Sequence, residues 1–179
     1  KRTATDVIYN RLGKLSSFAL LLHDNVSEKE HFYNSISNAI KVEKYYDSIK
    51  EKYPYFKVIR GNEIYLCRNG LNSENFIPGT DKYYHFILLA KDAIGHQQIR
   101  ELSTRAWTRS YFARNQRRIP TYYSDLEEII GANPGHVIGA TACLGGCLAT
   151  QLLRYGETYA EDLYAQIINW SNYLNSIFG

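Results

Sequence analysis

Tyr83-Tyr84-His85-Phe86-Ile87-Leu88-Leu89-Ala90 is the stretch on which the reading of the fold turns. It is short, aromatic and apolar, and a polar loop over residues 69–81 precedes it. Such a run reads as a strand buried on both faces, the kind found in a parallel sheet. Ser16 to His23 has the same character and closes on the turn pair Asp24-Asn25. Between the two runs, Ser27 and Glu30 form a capping-box pattern that opens a helix over roughly 27–52, ended by Tyr53-Pro54. Residues 56–60 and 63–67 read as two short strand segments around Gly61, and Asn69-Gly70 as a turn. Beyond residue 90 the pattern predicts a helix over 94–110, then a basic, irregular stretch over 111–121 ended by Pro120. A second capping box, Ser124 with Glu127, opens a short helix to Gly131. A strand over 136–141 and helices over 147–155 and 158–177 complete the chain, and residues 4–14 read as a short helix at its start. Strand and helix alternate, which predicts an α/β fold with a largely parallel sheet in a single domain, residues 1–179.

Composition narrows the class. The chain has 179 residues, a formal charge of +3, 45% hydrophobic residues and 22% charged ones, which excludes wholesale disorder. No apolar run is long enough to span a membrane and no signal peptide opens the chain, so no membrane partner is expected and a cytoplasmic location is. An odd set of cysteines, Cys67, Cys143 and Cys147, fits a reducing compartment better than a disulfide framework. Methionine is absent, so the sequence is expected to be a processed product or an excerpt. The 16 tyrosines suit interfaces and half-buried strands.

In parallel α/β folds the reactive groups gather at the strand ends. His23 ends the first strand, Glu63 lies just past Gly61, His85 is early in its strand, and Cys143 follows the strand 136–141. Two imidazoles, a carboxylate and a thiol are competent ligands for zinc or a similar ion. Their spacing alone favours a plainer reading: a capping histidine, a surface glutamate, a core histidine and a small buried cysteine. Cys143, Cys147 and His136 lack the second pair that a structural zinc knot wants, and Gly145-Gly146 points instead to a tight turn opening a helix. The marks of nucleotide-binding loops and hydrolase elbows are missing. Arg100, Arg105, Arg109, Arg114, Arg117 and Arg118 form a basic cluster beside Tyr111, Phe112, Tyr122 and Tyr123. Guanidinium forks suit phosphate and the rings suit base stacking. The same arginines are equally well placed to pair with Asp125, Glu127 and Glu128.

Several segments run in the order of one known family: Tyr84 to Asp92, Gly95-His96, Glu101 to Thr104, Arg118 to Ile130, Gly135 to Ile138, and Ala142 to Gly146. Gly61-Asn62-Glu63-Ile64-Tyr65 is similar to that family's Gly-x-Glu-Val-Tyr element. Leu15 to Ser27 is similar to its second motif. The chain resembles the N-terminal PHP (polymerase and histidinol phosphatase) domain of the alpha subunit of bacterial DNA polymerase III. The resemblance implies part of a distorted, largely parallel (βα)7-type barrel with metal ions at the strand ends. It also implies His23, Glu63, His85 and Cys143 as ligands. The family's opening His-x-His motif has no counterpart, Leu22 stands where the second motif has aspartate, and the late Asp-x-His ligands and closing strands would lie beyond Gly179. The expectation is therefore an incomplete site for a divalent metal, zinc or manganese, in a domain that supports a replicative polymerase. The remaining polymerase domains or other replisome subunits would be its partners, and the intact family site implies a 3′–5′ exonuclease. DNA contact falls to Arg105, Arg109, Arg114, Arg117 and Arg118. The alternatives are a stand-alone metal-dependent phosphoesterase and a non-catalytic DNA-binding module.

Overall fold

A computed structural model describes residues 17–23, 29–67, 83–113, 116–155 and 160–179; for residues 17–23, 29–36, 113, 116, 151, 154–155, 160–166 and 170 it describes the backbone path alone. The helix expected over 4–14 and the loop over 69–81 lie outside the described residues. Among the described residues a mixed sheet carries the fold. Its strands are β1 (Ser17–His23), β2 (Lys57–Cys67), β3 (Tyr83–Ala90), β6 (Pro120–Tyr122) and β7 (Val137–Thr141). A separate ribbon pairs β4 (Tyr111–Ala113) with β5 (Gln116–Arg118). The helices are α1 (Lys29–Ile49), α2 (Ala93–Thr108), α4 (Cys147–Tyr155) and α5 (Ala160–Phe178). Between β6 and β7 sits α3, a turn over Tyr123–Leu126 that widens into a π-helical turn over Glu127–Gly131.

The sheet is not largely parallel. β1 and β6 run parallel to β2, whereas β3 is antiparallel to β2 and β7 is antiparallel to β3. A run buried on both faces records burial, not direction, so β3 fits an antiparallel place equally well. No closed barrel forms among the described residues. The two segments expected on either side of Gly61 are one strand, because Gly61 is paired with Leu21 of β1 on one edge and with Leu89 of β3 on the other. Ladders on both edges hold the glycine extended despite its freedom. β3 takes residues 61–67 of β2 on one edge. β1 pairs with residues 57–63 and β6 with residues 65–67, so these two strands follow one another along the opposite edge. Pro120 opens β6, where its missing N–H costs no central ladder bond. The stretch 111–121, expected to be irregular, contains the β4–β5 ribbon, with Tyr111 opposite Arg118.

Alternation along β2 and β3 divides the sheet into two faces. Ile64, Leu66, Phe86 and Leu88 are almost wholly buried on one face, packed with Ile99 and Leu102 of α2, Leu126 and Ile130 of α3, Val137, and Ile177 of α5. Glu63, Tyr65, His85 and Ile87 occupy the other face and stay half-buried. A smaller cluster of Val42 and Phe56, joined by Tyr46, Ile49 and Val58, ties α1 to the start of β2.

α2 starts where Asp92 caps it, its Oδ1 accepting from the Gly95 N–H at 2.9 Å. Gly95 is sterically required: a Cβ there would lie 2.0 Å from the carbonyl oxygen of His136. The cap of α3 lies two residues before the expected Ser124 position. Asp125 Oδ2 accepts from the Tyr122 N–H at 2.7 Å. Ser124 and Asp125 offer comparable capping chemistry, and the buried aspartate prevails because it also receives arginine.

Candidate metal centre

The register of the sheet brings together residues far apart in sequence. Glu63 and Tyr65 lie two apart on β2 and so share a face. His85 pairs directly with Tyr65 across the antiparallel ladder, which sets it diagonally next to Glu63. His85 lies near the start of β3, but β3 runs against β2, so this start lies at the carboxyl end of β2. After β7, the turn Cys143–Gly146 folds back onto β3. His85 N–H donates to the Gly145 carbonyl at 3.0 Å, Gly146 N–H donates to the Cys143 carbonyl at 2.8 Å, and His85 and Gly146 form a bridge. A Cβ on Gly145 would stand 3.3 Å from the His85 ring and 3.5 Å from the Cys143 sulfur, so a glycine lets the backbone pass close beside both.

Three ligand-type atoms of Glu63, His85 and Cys143 lie within 4.8 Å of one another. His85 Nδ1 is 2.8 Å from Glu63 Oε1 and 3.5 Å from Cys143 Sγ. The Gly145 N–H donates to the same sulfur at 3.3 Å, which orients it. Tyr65 packs its ring against His85 with centroids 5.0 Å apart and limits how far the imidazole can swing. Burial raises the pKa of Tyr65, with the Arg118 charge opposing, so its hydroxyl stays protonated at neutral pH.

The donor set fits a borderline-soft divalent ion. With metal–ligand bonds of about 2.0–2.3 Å, a tetrahedral site has nitrogen–sulfur edges of about 3.6 Å and nitrogen–oxygen edges of about 3.3 Å. The His85–Cys143 separation already matches the first. The shorter His85–Glu63 contact is a hydrogen bond that opens by about half an ångström to meet the second. β1 ends at His23, whose backbone is in register with Glu63; its side chain lies outside the described atoms.

Sequence reasoning named Glu63, His85 and Cys143, and the structure brings these three together. It did not single out Tyr65 or Gly145 as supports of the imidazole; the two-residue period from Glu63 to Tyr65 was the available signal for the first.

The arginine cluster divides in two. Arg105 pairs with Glu128, with Glu101 at 3.3 Å and with Asp125 at 3.6 Å. Arg109 reaches Asp125 at 2.5 Å and lies over the Tyr122 ring at 4.4 Å. Both reach the buried carboxylate of Asp125, which also caps α3. Arg117 and Arg118 belong to the ribbon. Arg117 donates to Ser110 Oγ at 2.8 Å and covers the exposed ring of Phe112 at 4.5 Å, and Arg118 lies 5.8 Å over the Tyr83 ring. Tyr83 meets Tyr65 at 5.8 Å, and Tyr65 meets His85, so a continuous row of side chains joins the ribbon to the triad. Arg114 lies outside the described residues. No helix among the described residues is long and apolar enough to cross a membrane.

Two curated relatives align with the chain. One is a protein of Bacillus subtilis (strain 168) named probable DNA polymerase YorL. The other is a protein of Bacillus phage SPbeta named DNA-directed DNA polymerase. Each is 43% identical over 101 residues, which is 55% of this chain and 8% of the relative. The chain therefore matches a small fraction of either relative's length. Residues 12–176 match the PHP domain family. With nearly the whole chain inside that match, and a histidine, an acid and a cysteine gathered on one face of its sheet, the chain belongs to the PHP domain family.

Proposed function

We propose that this chain is the PHP portion of a replicative DNA polymerase related to the alpha subunit of polymerase III, and that it acts there mainly as a structural support. The observation that carries this reading is the preserved cluster of Glu63, His85 and Cys143 in a chain whose relatives are named as DNA polymerases. Residues 1–179 form one PHP-like domain in this reading. Other polymerase domains would cover the half-buried sheet face.

Glu63, His85 and Cys143, with His23, would hold a divalent ion, zinc or manganese. Such an ion supplies Lewis-acid chemistry toward a phosphodiester when bound. The residues themselves supply position: Tyr65 and Gly145 fix the imidazole, and the Gly145 N–H fixes the sulfur. With Leu22 at a family ligand position, the site holds at most one ion, weakly, and nuclease activity in this chain is lost or low.

A second reading has support of its own. The row from Arg118 through Tyr83 and Tyr65 to His85 favours contact between the ribbon and a nucleic-acid backbone, with Arg117 and Arg118 as the phosphate contacts and Arg114 beside them in sequence. Arg105 and Arg109, held by acids, would position the scaffold.

Cobalt(II) titration of the full chain tests the metal reading. A thiolate–cobalt absorption band in the near ultraviolet is expected, saturating at one ion or less and absent in Cys143→Ser. Two or more tightly held ions per chain would overturn the incomplete-site reading, and no binding at millimolar metal would overturn the metal role of the triad.

A further inference from the structure

A cavity lies on the face of β2 opposite the triad. It has a volume of about 500 Å³ and opens between α1 and α2, a size typical of small-molecule sites. Ile40 of α1 and Ile99 of α2 supply apolar walls over a floor that includes Gly61. Arg60, His96 and Arg100 stand at its polar side.

The charges there do not balance. The two carboxylates of the lining are already engaged: Glu43 receives both arms of Arg60 at 2.8 Å, and Asp47 receives Lys50 at 3.0 Å. The Arg100 guanidinium donates instead to the amide oxygen of Gln97, which carries no charge to match it. Burial, and then the charges of Arg60 and Arg100, hold His96 below its ordinary pKa. Positive potential therefore focuses on a cleft with apolar walls.

We infer that this cavity binds an amphipathic organic anion, with its anionic head on Arg100 beside His96 and its apolar body between Ile40 and Ile99. A phosphate monoester and a carboxylate both present that chemistry, because either accepts the guanidinium fork. The inference is independent of the metal triad, which lies on the opposite face of the sheet.

Calorimetric titration of the full chain in the presence of EDTA, which silences the triad, tests it. The probes are deoxyadenosine monophosphate and octanoate, with deoxyadenosine and octanol as their uncharged counterparts. At least one anion should bind, at least tenfold more tightly than its counterpart, and which one binds identifies the source of the head group. Arg100→Gln removes the charge from an exposed position, and Ile40→Trp fills the cavity from a half-exposed one. Each should weaken binding at least tenfold, with thermal melts confirming that both variants fold. Failure of both anions to bind at millimolar concentration would overturn the inference. So would binding that both variants leave unchanged, or uncharged probes that bind as tightly as the anions.

Discussion

Gly95→Ala should be a costly single-methyl change. Its Cβ would sit 2.0 Å from the carbonyl oxygen of His136, 2.8 Å from the carbonyl carbon and 3.3 Å from Val137 Cγ2. A carbon needs about 3.3 Å from an oxygen, so the start of α2 and the start of β7 must part by roughly 1.3 Å. The obstacle is backbone on both sides, with no flexible side chain to turn aside. The movement strains three things at once: the Lys91 N–H to His136 carbonyl bond of 2.9 Å, the Asp92–His136 contact of 2.6 Å and the packing of Val137. Overpacking costs about 1–3 kcal/mol, and a weakened hydrogen bond about 1 kcal/mol. Against this, alanine gains up to about 1 kcal/mol over glycine in a helix, and less in a first turn. The net expectation is a loss of about 2–3 kcal/mol, a fall of roughly 4–12 °C in melting temperature for a chain of this size. Urea unfolding followed by circular dichroism measures it. A variant within 0.5 kcal/mol of the parent would refute the close approach of α2 to β7.

Asp125→Ala should lose about 2–3 kcal/mol, because the buried Tyr122 N–H loses its acceptor and the partly exposed Arg109 loses a charged one; equilibrium unfolding reads this directly. Asp92 is held below its ordinary value of 3.8 by the Gly95 N–H and then by His136. A carboxyl depressed in the folded state stabilises it above the unfolded value, and that stability is lost as pH falls through the folded one. The parent should therefore weaken below about pH 4 more steeply than Asp92→Asn in acid-unfolding curves. If the ribbon touches duplex DNA, Arg117→Ala with Arg118→Ala should flatten the slope of log K against log salt by about 1.8. Fluorescence anisotropy across a salt series measures it, and an unchanged slope would assign both arginines to protein contacts.

Much of this arrangement could be read from the residues, for physical reasons that differ by site. The strand at 83–90 is legible because Tyr84, Phe86 and Leu88 need burial and too few polar residues interrupt them. Its direction is not, since the same side chains serve either ladder. The mixed sheet follows from pairing partners that no local pattern encodes. Gly61 reads as a break because its freedom is local, whereas the two ladders that suppress it come from residues 40 positions before it and 28 after. Glu63, His85 and Cys143 could be named through their donor chemistry and the family resemblance. Their mutual distances depend on the antiparallel register of β3 and on the turn at Gly145, neither visible in spacing. The ribbon at 111–118 is not legible in the residues because strands of three residues with arginines facing rings show no apolar alternation. The division of the arginines also needed three dimensions: only the fold puts Asp125 within reach of Arg105 and Arg109.

The crowding around β2 carries a kinetic consequence. This strand is the shared neighbour of β1, β3 and β6, and β3 is the partner nearest to it along the chain. Closing the shorter loop is entropically easier, so β2 and β3 should zip first and then template the others. Glu63 and His85 ride on that early pair, and Cys143 arrives only once β7 docks on β3. Amide protection should be deepest along Ile64–Leu66 and Phe86–Leu88, where opening requires the whole sheet to come apart, and shallowest on the β4–β5 ribbon. The triad thus straddles the boundary between the first-formed and later-added parts of the molecule.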